Sequence, residues 1–352
     1  MIRAGINGFG RIGRTALRVW LDRSELQKEM EIVAINTSGS VGIEGWARLL
    51  KYDTAYGPLK LGLKWQESRK PDEVTEDNPE IGSMTIGELT IPVLAQRDPS
   101  KIPWSNYEVD VVLECTGIFR TEDQARQHLH GGARKVLLSA PDKGGDVQMI
   151  LVGVNRYDGR HTVTSNASCT TNCVAPIMKV LTEEFGVLKA GMSTVHGYTD
   201  NQNLQDGSHK DPYRGRAAAA NIVPTTTGAA QATGNVLPQI KGVFDGMAVR
   251  PPIITGSIAD VTALVKRKTS IDEVNDLYRK AAQNEELRGI LAVTDEPLVS
   301  SDIIGRPESA IVALPFTNVI DGDLVKVLAW YDNEWGFSNR LVEAAVQIGA
   351  GI

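Results

Sequence analysis

The chain has 352 residues, enough for two domains and a large core, and its 42% apolar and 23% charged residues are ordinary for a soluble globular protein. A net charge of −6 leaves no basic footprint for nucleic acid, and no apolar run approaches the ~20 residues of a membrane span. Three cysteines, two of them four residues apart, do not make a disulfide framework. No signal peptide is read at the N-terminus and no metal site is expected, so a cytoplasmic enzyme is the default expectation.

Residues 2–6 read as a short buried strand. Gly8-Phe9-Gly10-Arg11-Ile12-Gly13 follows, and then a helical pattern through Ala16, Leu17, Trp20 and Leu21. A Gly-x-Gly-x-x-Gly run alone is an ordinary turn. Between a strand and a helix it fits a dinucleotide: one glycine for the turn, one for close approach of a pyrophosphate, one for helix–strand packing. The second strand, 31–35, runs into Asn36-Thr37-Ser38-Gly39. An acidic residue usually stands near that end to hold the ribose of NAD, and here Thr37 stands there, with Ser38 and Ser40 beside it.

Residues 41–50 suggest a helix. The stretch 61–92 is less regular, and its charged, proline-containing part at 67–80 reads as a solvated insertion between short strands. Residues 110–114 are a buried parallel strand ending at Cys115-Thr116-Gly117, whose C-terminal end points at the crevice. A helix at 124–130, a buried strand at 135–139 and a further run at 147–152 complete an alternation that predicts a doubly wound parallel sheet.

Residues 162–165 then run as a strand into small polar residues, followed by a helical pattern at Val174, Ile177, Met178 and Leu181. Asn166 or Ser168 can cap that helix, which places Cys169 at its opening, where backbone N–H groups and the dipole favour a thiolate. Cys173, one turn deeper, is better suited to packing. Beyond it the pattern changes. Strands at 192–196, 253–266, 309–316 and 324–331, a helix at 271–283 and a final helix at 337–348 predict a largely antiparallel sheet with helices on one face. The expected division is a dinucleotide-binding domain over 1–168, a catalytic domain over 169–335, and a helix at 336–352 returning to the first.

Five stretches resemble phosphorylating glyceraldehyde-3-phosphate dehydrogenase over essentially the whole length: Ile6-Asn7-Gly8-Phe9-Gly10-Arg11-Ile12-Gly13-Arg14, Ser165 to Cys173, Thr194-Val195-His196-Gly197-Tyr198-Thr199, Pro224 to Ala230, and Trp330 to Gly336. The resemblance implies a Rossmann-type α/β domain followed by an α+β catalytic domain. It implies that Cys169 attacks the aldehyde and that His196 serves as its acid–base partner. A substrate-phosphate site would use Thr199 and Arg250, and an inorganic-phosphate site Ser168, Thr170, Thr227 and Gly228. Gly8, Phe9, Gly10, Arg11 and Ile12 would hold the cofactor pyrophosphate, with Arg97 near the adenine. Thr116, Gly117 and Ser139 would line the nicotinamide side, Asn333 would bond the carboxamide, and Phe337 would pack where relatives usually carry Tyr. The polar segment 200–216 matches an interface loop and implies a homotetramer.

Besides Phe337, the chain departs from the pattern in four places. Asn201 stands where many relatives have Asp, Pro251-Pro252 follow Arg250, Thr37 replaces the acid of the second strand, and Gly207-Ser208 precede His209-Lys210-Asp211 where NAD-specific relatives carry Leu-Pro. Thr37 and Ser38, with Ser208 from a neighbouring subunit, point to use of NADP as well as NAD. A sister enzyme acting on erythrose 4-phosphate is the alternative activity, although Tyr198-Thr199 favour the three-carbon substrate. A purely binding role for RNA or a protein partner fits neither the charge nor the motifs.

Overall fold

A computed structural model describes residues 1–352. The chain divides into two compact units, one of Met1–Ile150, Tyr157–Ala167 and Ser338–Ile352, the other of Leu151–Arg156 and Ser168–Phe337.

The first unit is built on a nine-stranded sheet. Its strands are β1 (Ile2–Asn7), β2 (Met30–Asn36), β3 (Leu63–Glu67), β4 (Glu80–Ile86), β5 (Leu89–Leu94), β6 (Val111–Glu114), β7 (Lys135–Leu138), β8 (Gln148–Met149) and β9 (Val163–Ser165). Their order is β3-β4-β5-β2-β1-β6-β7-β9-β8. Every pairing from β5 onward is parallel, and β3-β4-β5 form an antiparallel meander at one edge. The helices are α1 (Arg11–Asp22), α2 (Ser24–Gln27), α3 (Ile43–Lys51) and α4 (Glu122–His130). β6 and β7 are buried along their whole length, as strands covered on both faces must be.

A buried polar cluster sits under the C-terminal ends of β1 and β6. Trp104 Nε1 donates to His128 Nδ1 at 3.1 Å, so the His128 ring proton lies on Nε2, which donates to Glu114 at 2.9 Å. The other Glu114 oxygen accepts the Thr116 N–H at 2.8 Å, and Asn7 Nδ2 donates to the carboxylate at 2.5 Å. One buried carboxylate thus fixes both Asn7 and the loop after β6.

The expected strand at 147–152 is cut to Gln148–Met149. Leu151 N–H donates to Asn155 Oδ1 at 2.8 Å, which turns the chain, and Gly153 adopts φ +81. A side chain on Gly153 would meet Ile290 and Leu287, and Val152 and Val154 pack on the second core, so Leu151–Arg156 leave the first unit for the second.

The second unit holds α5 (Cys169–Phe185), β10 (Val187–Val195), β11 (Val223–Thr226), α6 (Ala229–Val236), β12 (Phe244–Arg250), β13 (Ser257–Val265), α7 (Ile271–Ala281), β14 (Leu291–Thr294), β15 (Ala310–Ala313), β16 (Asn318–Ile320) and β17 (Leu324–Tyr331), and α8 (Trp335–Gly349) begins in it. The sheet order is β11-β12-β10-β13-β17-β15-β14, with β16 on β17. Two pairings, β10 with β12 and β14 with β15, are parallel and the rest antiparallel. β13 alternates buried and half-buried residues without a break, one face on the core that α5 covers.

Candidate active site

The chain enters α5 through a tight elbow. Ala167 is fully buried at φ +55, a backbone region that costs an ordinary residue energy and is held by its surroundings. Ser168 then caps the helix, its hydroxyl accepting the Thr171 N–H at 3.1 Å. Cys169 is the first helical residue and is partly exposed, while Cys173 lies wholly in the core.

Strands β10, β12 and β17 of the same unit bring three side chains to this helix end. His196, just past β10, sets Nε2 3.1 Å from Cys169 Sγ. Arg250, the last residue of β12, sets Nη1 2.5 Å from His196 Nδ1 and 2.8 Å from the Gly197 carbonyl. Tyr331, at the end of β17, packs its ring edge-to-face against His196 with centroids 5.9 Å apart. Its hydroxyl bridges Thr170 Oγ1 at 3.0 Å and Thr194 Oγ1 at 2.7 Å. Thr194 donates onward to the Ile258 carbonyl, so Tyr331 donates to Thr194 and accepts from Thr170.

The electrostatics differ from the expectation for a helix-opening cysteine. Burial pushes the Cys169 thiol above its ordinary value, against the downward pull of the Arg250 guanidinium and of the Thr170 N–H and hydroxyl. Burial and the neighbouring Arg250 push His196 down to about 3, so the imidazole is neutral. A guanidinium has no lone pair, so Arg250 donates to Nδ1 and the ring proton sits on Nε2, facing sulfur. With Arg250 withdrawn, Nδ1 can instead donate to the Gly197 oxygen, 2.7 Å away, and Nε2 becomes an acceptor. The cluster thus offers a nucleophile, a tautomeric acid–base group and a cation.

The remaining expected phosphate ligands make no hydrogen bond to this cluster. Thr199 donates to Asn201 Oδ1 at 2.8 Å, Thr227 Oγ1 accepts the Ala229 N–H at 3.2 Å, and Gly228 stands exposed at the N-terminus of α6. Beside Thr199, Gln202 has its Nε2 buried without a partner, a donor the sequence reading missed. Ser208 is exposed in the 200–216 segment.

In the first unit a crevice of about 500 Å³ opens where the C-terminal ends of β1, β2 and β6 meet the start of α1. Gly8 is at φ +92, and a Cβ on Gly13 would lie 2.2 Å from the Gly8 oxygen. Gly10 faces open space, and α1 has no side-chain cap at its N-terminus, the end of a helix that suits an anion. Arg11, which does not line the crevice, directs its guanidinium to Asp53 at 2.6 Å. Phe9 is buried and Ile12 half-buried, Phe9 edge-on to Trp46. Gly117 adopts φ +69, and Ser139 bonds the Cys115 thiol, which burial pushes up.

Two further expectations need correction or refinement. Thr37 lines the crevice but is 1% exposed, and its hydroxyl donates to the Leu94 carbonyl at 2.9 Å. It therefore brings no hydroxyl donor to a 2′-phosphate; what it brings is the lack of a carboxylate. Ser38 and Ser40 are exposed, with Ser38 donating to Ser40 at 3.0 Å, and Arg97 uses only Nε, on the Ser38 carbonyl at 3.0 Å.

The family model of the glyceraldehyde 3-phosphate dehydrogenase NAD binding domain matches residues 2–122, and that of the C-terminal domain matches residues 168–333. Proteins called glyceraldehyde-3-phosphate dehydrogenase in Streptomyces avermitilis and Streptomyces coelicolor are each 49% identical over 351 residues, covering 99% of this chain and 98% of theirs. One in Mycobacterium bovis is 46% identical over 359 residues, covering all of this chain and 99% of its own. The chain belongs to the glyceraldehyde-3-phosphate dehydrogenase family.

Membership in the glyceraldehyde-3-phosphate dehydrogenase family makes the chain an oxidoreductase with a nicotinamide cofactor. The crevice fits such a group: glycine at the positions of closest approach, a helix N-terminus at α1 with no side-chain cap, and an apolar wall from Phe9 and Trp46. In the second unit, Asn333 is buried with Oδ1 accepting from Ser257 at 2.7 Å and Thr255 at 3.1 Å, which orients its amide so that Nδ2 is the donor. Phe337 is buried near the start of α8. In the sequence Tyr331 is only a member of the motif Trp330 to Gly336; nothing in strand spacing signals that its hydroxyl meets residues 161 and 137 positions away.

Proposed function

We propose that this chain catalyses the reversible oxidative phosphorylation of glyceraldehyde 3-phosphate to 1,3-bisphosphoglycerate. The observation that carries the reading is Cys169 Sγ at the start of α5, 3.1 Å from His196 Nε2, with Arg250 on the far side of the ring.

Sγ attacks the aldehyde carbon, forming a C–S bond, and the thiol proton passes to the carbonyl oxygen, giving a thiohemiacetal. The substrate phosphate draws Arg250 off Nδ1. The ring proton then moves from Nε2 to Nδ1, where the Gly197 carbonyl accepts it, and Nε2 becomes the base. As hydride leaves the carbon, Nε2 takes the hydroxyl proton, leaving a thioester. The nicotinamide supplies the hydride acceptor. Inorganic phosphate attacks the thioester carbonyl, the C–S bond breaks, and sulfur leaves as a thiolate beside the imidazolium. In this reading Thr199 joins Arg250 at the substrate phosphate, and Ser168, Thr170, Thr227 and Gly228 serve the attacking phosphate through hydroxyl and N–H donors. Gly8, Gly10, Arg11 and Ile12 hold the pyrophosphate, Arg97 lies at the adenine, Thr116, Gly117 and Ser139 border the nicotinamide, Asn333 donates to its carboxamide, and Phe337 packs beside it.

NADP is accepted at least as well as NAD, because no carboxylate at position 37 repels a 2′-phosphate, the exposed Ser38 hydroxyl can turn from Ser40 to a ligand, and the terminal amino groups of Arg97 remain as donors. Ser208 of a neighbouring subunit adds a donor in a homotetramer. Steady-state kinetics with each cofactor, with and without phosphate, test the activity; turnover without phosphate, or preference for erythrose 4-phosphate, overturns it. Sedimentation of an active monomer at micromolar concentration overturns the assembly.

A further inference from the structure

The insertion between β3 and β4 is more than a solvated loop. It is organised from within: Arg69 Nη1 donates to the carbonyls of Asn78 at 2.9 Å and Glu80 at 3.0 Å, and Glu73 accepts the Lys70 N–H at 2.9 Å. At its base β4 bulges between Glu80 and Gly82, and a Cβ on Gly82 would lie 2.1 Å from the Gln66 oxygen. Lys101 reaches the loop through Glu76 at 2.5 Å.

So held, the loop forms one wall of a second recess of about 610 Å³, which lies beyond the dinucleotide crevice. The two cavities share Ser38, Gln96 and Arg97 as a common lip. On one side of the recess stand Ser38, Ser40 and Arg97, all donors; on the other stand Asp72, Thr75 and Glu76 from the loop. Glu76 is neutralised by Lys101, whereas Asp72 makes no ion pair or hydrogen bond and is the recess's uncompensated carboxylate.

We infer that this loop is the specificity wall of the adenosine end, and that Asp72 supplies from the insertion the negative charge that position 37 lacks. The inference rests on the reading of the crevice as the dinucleotide site. A 2′-phosphate extending from the crevice past Ser38 enters the recess between the donors and Asp72. Ser38 and Arg97 favour it; Asp72 opposes it and limits how far the chain leans to NADP.

The test is calorimetric binding of ADP-ribose and of its 2′-phosphorylated counterpart to the full-length protein, wild type and Asp72→Asn, at two salt concentrations. The substitution removes an exposed charge without a partner, so the fold is not at stake. The account expects the phosphorylated ligand to bind the variant about three- to tenfold more tightly, with ADP-ribose within twofold of wild type and the difference shrinking at high salt. If both ligands bind and their ratio does not change, the loop is only a solvated insertion and the inference is wrong. If neither ligand binds either protein, the crevice reading itself fails. A shift in both ligands by the same factor also overturns the inference, because it marks a general distortion rather than charge discrimination.

Discussion

Replacing Thr37 by aspartate places a carboxylate at the end of β2 and tests what its absence does. A phosphate carrying about two charges at roughly 5 Å from that carboxylate is repelled by about 1.7 kcal/mol at the dielectric of water, weakened by salt and strengthened by desolvation. A hydrogen bond from the ribose hydroxyl of NAD to the same carboxylate widens the gap by about 1 kcal/mol. The expected shift toward NAD is therefore at least ~1.4 kcal/mol, about tenfold in kcat/KM ratio. The structure adds a cost. Thr37 is buried and its hydroxyl donates to the Leu94 carbonyl at 2.9 Å, which a carboxylate cannot do, so Thr37→Asp lowers stability by about 1–3 kcal/mol. Thr37→Val loses the same hydrogen bond without adding charge and isolates the packing effect. Cofactor kinetics and urea unfolding are compared for all three proteins at fixed ionic strength. A wild type that already prefers NAD a hundredfold, or a shift below threefold between the valine and aspartate variants, refutes the reasoning.

Cys169→Ser abolishes dehydrogenase activity while Cys173→Ser, confined to the core beneath it, keeps most of it; equal loss from both with intact circular dichroism defeats the assignment. His196→Asn lowers kcat by roughly 10²–10⁴-fold, read in steady state, because it removes the proton transfer at Nε2. His161 is raised above its ordinary value by Asp158, against burial, with Asp146 adding to the effect. Its stabilising contribution is complete below the unfolded imidazole pKa and is lost as pH rises through the higher folded one. His161→Gln should therefore lower Tm most near pH 6 and progressively less above neutrality, and a Tm difference independent of pH contradicts this.

Much of the fold was legible because it rests on local pattern. The buried runs at β1, β2, β6 and β7 and the glycines before α1 name a parallel sheet with a crevice, and a cap at Asn166 or Ser168 marks the start of α5, Ser168 being the one used. β12 was missed because Asp245 and Gly246 interrupt it; Gly246 is needed there, since a Cβ would lie 2.4 Å from the Met192 side chain. The strand at 147–152 was over-read because its apolar residues serve two different cores. At the site, the pairing of Cys169 with His196 comes from resemblance, since a separation of 27 positions carries no distance information. That the Thr37 hydroxyl is engaged by the Leu94 carbonyl is not legible, because sequence does not show that the two lie side by side. The approach of the insertion to Ser38 was equally invisible, because a charged loop reads the same whether it faces solvent or a recess.

The central claim is that Cys169 carries the acyl group and that phosphate releases it. Rapid mixing of enzyme, aldehyde and cofactor without phosphate tests it directly. The account predicts a burst of one reduced nicotinamide per intact Cys169, then arrest, an acyl adduct on the Cys169 peptide by mass spectrometry, and resumed turnover when phosphate is added. Continuous turnover without phosphate, or an adduct on another residue, contradicts it.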